Sequence, residues 1–321
     1  MQRKSEVIFG PVPSRRLGMS LGVDVVPWKV CSYDCVYCEV GRTTEHTRQR
    51  AEYAPLATIE AELRKYFSDP AAGKGLDYVT FSGSGEPTLN SGIGRLIRLV
   101  KQLCDVPVAV LTNGSLLDEQ SVRDELFAAD LVVPSLDAVS QEVFQRVNRP
   151  APGIDAQRVV QGIELFTHSF AGEVWLEILF VKGINDSSDE VERLAQAAAA
   201  IAPFKIQLTT VVRPPGFGSA AAVDSDWLRS ISARFAGNVE VVADFSRAAH
   251  PAYSEDRAEQ IIKMLRIRPV TIDDLCASLG LHPNEVRKYL DELQRTHGVE
   301  SNEFEGRLYY TIDKRKHDEH G

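Results

Sequence analysis

The chain has 321 residues, 44% of them apolar and 25% charged, with a formal net charge of -9. That composition supports a large buried core with a smaller second one, and no apolar run approaches the length of a membrane-spanning helix. Residues 1–7 are polar and lack the apolar stretch of a secretion signal, so a soluble, cytoplasmic protein is expected. The acidic balance excludes general nucleic-acid affinity, and any polynucleotide would have to be gripped by a local basic patch.

In chain order, residues 9–22 are rich in turn formers, with Arg15 and Arg16 paired in the middle. A first strand is predicted over 23–26, and Cys31-Ser-Tyr-Asp-Cys35-Val-Tyr-Cys38 follows closely. Further strands are expected over 76–81, 106–111, 131–135, 174–181, 205–211 and 239–242. Helices are expected over 57–68, 92–104, 119–128, 155–168, 188–201 and 224–235, with Ser187 and Glu190 as a capping-box pair. About six β/α units predict an α/β fold, a partial (β/α)6 TIM-like barrel, with its ligand site at the C-terminal ends of the strands. The barrel domain is assigned to 1–243 and a polar linker to 244–254. Helices over 256–267, 271–279 and 283–295, then strands over 299–304 and 307–312, predict a winged helix-turn-helix domain at 255–312. The tail 313–321 contains no apolar residue and is expected to be disordered.

Five cysteines are an odd number for a disulfide framework, and three of them fall between positions 31 and 38. That distribution points to metal binding in a reducing compartment. Cys104 and Cys276 lie in apolar helical runs, where a free cysteine behaves as a small hydrophobe. Three thiolates on a 4Fe-4S cluster leave one iron open to a further ligand. Zinc completed by His46 is the alternative, although structural zinc sites usually pair two close ligands with two distant ones. Asp34 and Glu39, beside the cysteines, read as solvated loop charges.

The CxxxCxxC spacing, with Tyr37 just before the last cysteine, resembles the signature of the radical S-adenosylmethionine (SAM) superfamily. The resemblance implies a 4Fe-4S cluster on Cys31, Cys35 and Cys38, with SAM on the open iron and Tyr37 near the adenine. Reductive cleavage of SAM would then give a deoxyadenosyl radical that abstracts hydrogen from substrate. It also implies oxygen sensitivity and an electron donor such as flavodoxin or ferredoxin. Ser82-Gly83-Ser84-Gly85-Glu86 resembles the family's glycine–glutamate motif for the SAM amino group, with Ser84 in place of the usual glycine and Glu86 expected at the mouth. Asn113, Ser135 and Asp137, at the next two strand ends, are candidate ribose or carboxylate contacts, with turn-forming and capping use the alternative. Arg149 and Asn185 resemble family positions near this site. Glu177 either faces the cavity or points outward from the sheet, and the loop from Arg213 to Gly218 suits an anionic group or the adenine.

Residues 8–216 resemble a radical SAM group related to wyosine-type transfer-RNA-modifying enzymes. Those enzymes carry a second cysteine cluster, for which this chain lacks the cysteines. Residues 251–321 hold 11 Lys+Arg against 14 Asp+Glu, so the winged helix is acidic. The leading expectation is a radical SAM enzyme on a macromolecule, protein or RNA, recognised through that domain. Modification of a transfer-RNA base is the alternative, and a non-catalytic iron–sulfur winged-helix regulator is the rival from another class.

Overall fold

The computed structural model describes residues 7–14, 16–216, 220–242, 257–281 and 283–312. The proposed linker 244–254, the tail 313–321, Arg15 and Gly218 lie outside the described residues. The chain opens with strands β1 (Ile8–Ser14), β2 (Gly18–Val23), β3 (Val30–Cys31) and β4 (Glu45–His46) and helix α1 (Leu56–Tyr66). Then β5 (Tyr78–Phe81), α2 (Ile93–Leu103), β6 (Val108–Thr112), α3 (Gln120–Leu126), β7 (Leu131–Pro134), α4 (Gln141–Val147) and α5 (Ala156–Ser169) follow. Next come β8 (Glu173–Phe180), α6 (Ser188–Ile201), β9 (Lys205–Thr210), α7 (Ser225–Ser232) and β10 (Val239–Val241). The last five elements are α8 (Arg257–Ile267), α9 (Ile272–Leu279), α10 (Pro283–Thr296), β11 (Val299–Phe304) and β12 (Arg307–Ile312).

The central sheet has the order β1-β2-β5-β6-β7-β8-β9-β10, and every pairing except β1 with β2 is parallel. Its strands alternate between two buried faces. Val108, Val110, Val132, Val174 and Leu176 pack into the main helix-covered core, whereas Ala109, Leu131, Val133 and Trp175 join Leu17 in a smaller cluster on the opposite face. Leu17, in the turn between β1 and β2, therefore helps fill that opposite face.

The strand predicted at 23–26 is in fact β2, five residues earlier in its start. Glycines obscured it. Gly22 is required where the Phe9 ring of β1 lies flat on the strand, since a Cβ there would overlap the ring. Helix α4 escaped the sequence pattern because it is short, and its N-terminus depends on a distant residue. Glu190 does not close a capping box on its own helix. Ser187 accepts from the Glu190 amide, but the fully buried Glu190 carboxylate accepts from Val139 N (2.6 Å), Ser140 N (3.0 Å) and Ser140 Oγ (2.6 Å), at the start of α4. A capping box does form between Thr271 and Asp274, at the start of α9.

Helices α8, α9 and α10 and the antiparallel β11–β12 hairpin surround a second core of Ile261, Leu265, Leu275, Leu290 and Tyr310. Val12 of β1 is buried in that same core. The N-terminal strand thus belongs to the central sheet by its hydrogen bonds and to the C-terminal core by one side chain. Two polar links reinforce the contact. Tyr309 Oη donates to the Val212 carbonyl (2.6 Å), and Arg213, 3% exposed, lies 3.6 Å from both the Asp274 and the Glu39 carboxylates.

Replacing Glu190 with Ala leaves the buried donors at the start of α4 without their acceptor. The expected loss of stability is about 2–4 kcal/mol, read as a lower midpoint in urea or thermal unfolding.

Candidate active site

The segment from Lys29 to Cys38 contains only the two-residue strand β3, so its shape is imposed from outside. On one side the glycine-rich turn after β5 grips it, through Lys29 N to Ser84 O (3.0 Å) and Glu86 N to Val30 O (3.1 Å). Gly85 is needed for that approach, because a Cβ would overlap the Val30 carbonyl oxygen. On another side the end of α4 accepts Asp34 N at Asn148 O (3.0 Å) and Val36 N at Val147 O (3.0 Å), while Ala151 N donates to Ser32 O (2.8 Å). Thr47 N donates to Cys31 O (3.1 Å), and Gly216 N, beyond β9, donates to Cys38 O (2.8 Å).

This scaffold turns the three sulfurs toward nitrogen donors. Cys31 Sγ accepts from Tyr33 N (3.5 Å) and Asn113 Nδ2 (3.7 Å), Cys35 Sγ from Asn148 Nδ2 (3.5 Å), and Cys38 Sγ from Lys29 Nζ (3.0 Å). Burial pushes the Cys31 thiol up to about 12 and the Cys35 thiol higher still, with the Asp137 charge adding to the latter. Buried thiols of this kind ionise when a metal binds them, and N–H groups aimed at sulfur favour the thiolate. The donor set therefore fits a thiolate-bound cluster. Among the described residues no three Cys, His, Asp or Glu side chains converge tightly enough for a single metal ion. His46, the zinc alternative's fourth ligand, is exposed on β4, paired by its backbone with Cys31.

The candidate SAM-binding positions fall into two groups. Gly83, Asn113 and Ser135 are partly exposed at successive strand ends, and Ser84 and Gly85 form the turn against the cysteine loop. Asn113 also donates to Ser32 Oγ (2.8 Å) and Ser135 Oγ to Glu177 Oε2 (3.4 Å). The carboxylates behave differently. Glu86 is not presented at the mouth but is 2% exposed, taking Thr88 N (3.0 Å), Thr88 Oγ1 (2.6 Å) and Thr112 Oγ1 (2.7 Å) on one oxygen and Asn113 N (2.7 Å) on the other. Burial raises its pKa, and these four donors oppose the rise. Asp137, 2% exposed, accepts from Tyr37 Oη, Asn148 Nδ2 (2.7 Å) and Leu179 N (2.9 Å), and burial lifts it to about 6. Tyr37 is thereby tied to the end of β7.

Other sequence candidates are placed by contacts within the protein. Asn185 is fully buried, accepting from Val181 N and donating to the Asp137 and Leu179 carbonyls. Arg149 supports the cysteine loop through its backbone, at a φ of 46°. Glu177 faces inward, with Arg16 Nη2 2.6 Å from its Oε1. Cys104 and Cys276 pack against the first and second cores, as their apolar surroundings predicted. Sequence reading missed Lys29, Asn148 and Asp24, whose Oδ2 accepts from Ser84 N (2.9 Å), and gave Arg16 no partner. A lysine two positions before a cysteine carries no periodic or motif signal, and the other three depend on contacts distant in sequence.

Residues 25–198 match the family model described as the radical SAM superfamily. The chain belongs to the radical SAM superfamily. Membership of that superfamily implies a 4Fe-4S cluster, radical cleavage of SAM and a need for a reductant. A GTPase Obg of Brachyspira hyodysenteriae is 35% identical over 97% of this chain, which spans only 46% of that relative's length. A UPF0026 protein of Helicobacter pylori is 32% identical, with 89% of this chain and 91% of the relative aligned. Among solved structures, Streptococcus suis SuiB shares the fold at a TM-score of 0.51 and 15% identity, over 70% of this chain and 49% of SuiB.

Gly85→Ala forces the glycine-rich turn away from Val30 and should destabilise the protein by about 1–3 kcal/mol. The same displacement reaches Cys31, so iron retained per chain after anaerobic reconstitution should fall with it.

Proposed function

We propose that Cys31, Cys35 and Cys38 hold the 4Fe-4S cluster of this enzyme, that the ends of β5, β6 and β7 seat SAM, and that the substrate is an RNA. The observation that carries the cofactor assignment is the set of three sulfurs facing N–H donors beside a glycine-rich turn. When bound, cluster and SAM supply a radical that removes a hydrogen atom from substrate. The protein's own share is positional. Gly83 and Gly85 leave backbone open to a ligand, Asn113 and Ser135 offer amide and hydroxyl groups, and Tyr37 stands by the last cysteine. Glu86 and Asp137 act through others, holding Asn113 and Tyr37 in place, because their own oxygens are taken by protein donors.

We read residues 1–243 as a partial barrel and 255–312 as a winged helix-turn-helix. Support comes from the succession of three helices and a hairpin, with Gly280 in the left-handed conformation ending α9 before α10. Between this unit and the cysteine loop lies a cleft of about 620 Å³, lined by Trp28, Arg42, Arg266, Arg268 and Asn302. Three arginines and an exposed tryptophan, in a chain of net charge -9, suit phosphate groups and stacked bases, beside a wall that also holds Glu39, Pro214 and Leu265. This favours RNA, modification of a transfer-RNA base included. A low-potential carrier such as flavodoxin or ferredoxin would supply the electron.

Anaerobically reconstituted protein, reduced with dithionite and given SAM, should release deoxyadenosine detectable by chromatography. Alanine at Cys31, Cys35 or Cys38 should abolish cluster absorbance and this release, whereas alanine at Cys104 should spare both. Intact cluster without deoxyadenosine would sink the assignment.

Bulk transfer RNA should bind more weakly as salt rises, and Arg266→Ala should lower both the affinity and the salt slope. Absent or salt-independent binding would point instead to a protein or peptide substrate.

A further inference from the structure

Lys29 is 2% exposed, yet it carries an ammonium group into the sulfur cluster. Its backbone has a φ of 53°, a conformation unfavourable for a residue with a Cβ, and hydrogen bonds hold it on both sides. Its amide donates to Ser84 O (3.0 Å), and its carbonyl accepts from Thr44 N (3.0 Å) and Glu45 N (3.2 Å). The outcome of that constraint is a 3.0 Å contact between Nζ and Cys38 Sγ. The other side-chain donors to the three sulfurs, Asn113 and Asn148, are neutral amides at 3.7 and 3.5 Å. Lys29 is thus the charged donor and the shortest among the described contacts to these sulfurs.

Resting on the assignment of the cluster to Cys31, Cys35 and Cys38, we propose that Lys29 is a positioning residue that sets the cluster's reduction potential, by holding a fixed positive charge and an N–H donor against Cys38. The reasoning is electrostatic. One electron passes from the reductant to the cluster, so the cluster with its three thiolates gains one negative charge and the reductant is oxidised by one electron. A fixed cation in a site shielded from water stabilises the more negative state, and so do hydrogen bonds to sulfur. Lys29 therefore raises the potential, bringing the cluster within reach of a reductant, without touching substrate.

The test is a dithionite titration of reconstituted full-length protein, followed by absorbance and by the electron paramagnetic resonance signal of the reduced cluster. Lys29→Met, at wild-type iron and sulfide content, is expected to shift the midpoint to lower potential, and Lys29→Arg, which keeps the charge, should recover part of that shift. An unchanged midpoint in a fully loaded Lys29→Met would overturn the proposal. Should Lys29→Met fail to fold or to load, the wild-type protein labelled with 15N-lysine decides. Pulsed resonance of its reduced cluster should show a 15N coupling that Lys29→Arg lacks, and a wild-type spectrum without that coupling rejects the proposal. Failure of the cysteine assignment looks different, because Cys38→Ala would then still load a complete cluster.

Discussion

The cysteine loop cannot shape itself, and the surrounding structure is organised around that constraint. Ten residues carry three sulfurs, that of Cys31 buried and those of Cys35 and Cys38 partly so, with one two-residue strand among them, so neither helix nor sheet hydrogen bonds fix their positions. Backbone groups from the glycine-rich turn, the end of α4, β4 and the Pro-Pro-Gly segment after β9 do so instead. Two of these clamps are themselves held by something deeper. Glu190 caps α4 from α6, and Asp24 accepts the Ser84 amide beside Gly83. The loop inherits its rigidity from the sheet through two layers of polar contacts.

How far the sequence revealed this differs by element. The parallel strands were legible because β-branched runs are the local signature of strands buried on both faces, and β11 and β12 matched their predicted bounds because Glu305-Gly306 marks the turn between them. The β1–β2 hairpin was not legible, since its glycines and prolines look like punctuation, although Gly22 is a packing requirement beneath Phe9. At the site, cysteine spacing singled out the three sulfurs that the fold turns toward N–H donors. Glu86 and Asp137 were visible as carboxylates at strand ends, but nothing in their positions revealed that Thr88, Thr112, Asn113, Tyr37 and Asn148 would donate to them. A motif names a residue; only the fold determines whether its oxygens remain available.

The C-terminal unit enters this arrangement through β1 and through Arg213. A guanidinium 3% exposed, between Glu39 and Asp274, joins the residue after Cys38 to the carboxylate of the α9 capping box. Breaking such a buried arrangement on one side strands a charge, which is far more unfavourable than losing an exposed ion pair. The contact therefore couples the orientation of the C-terminal unit to the cysteine loop, and the arginine-lined cleft lies between the same two partners.

The distribution of charge follows from that packing. Glu86, Asp137 and the three cysteines would together place a concentration of negative charge in a region with little water. The carboxylates are offset by neutral donors, which stabilise an anion without cancelling its field at a distance. Among the described residues, the Cys38 sulfur alone has an ammonium in direct contact, from a residue forced into an uncommon backbone conformation. A neutral donor in that place would have satisfied the sulfur's hydrogen bonding. A cation there additionally changes the energy of adding an electron, which is the distinction that separates a structural contact from one tuned to the chemistry of the loop.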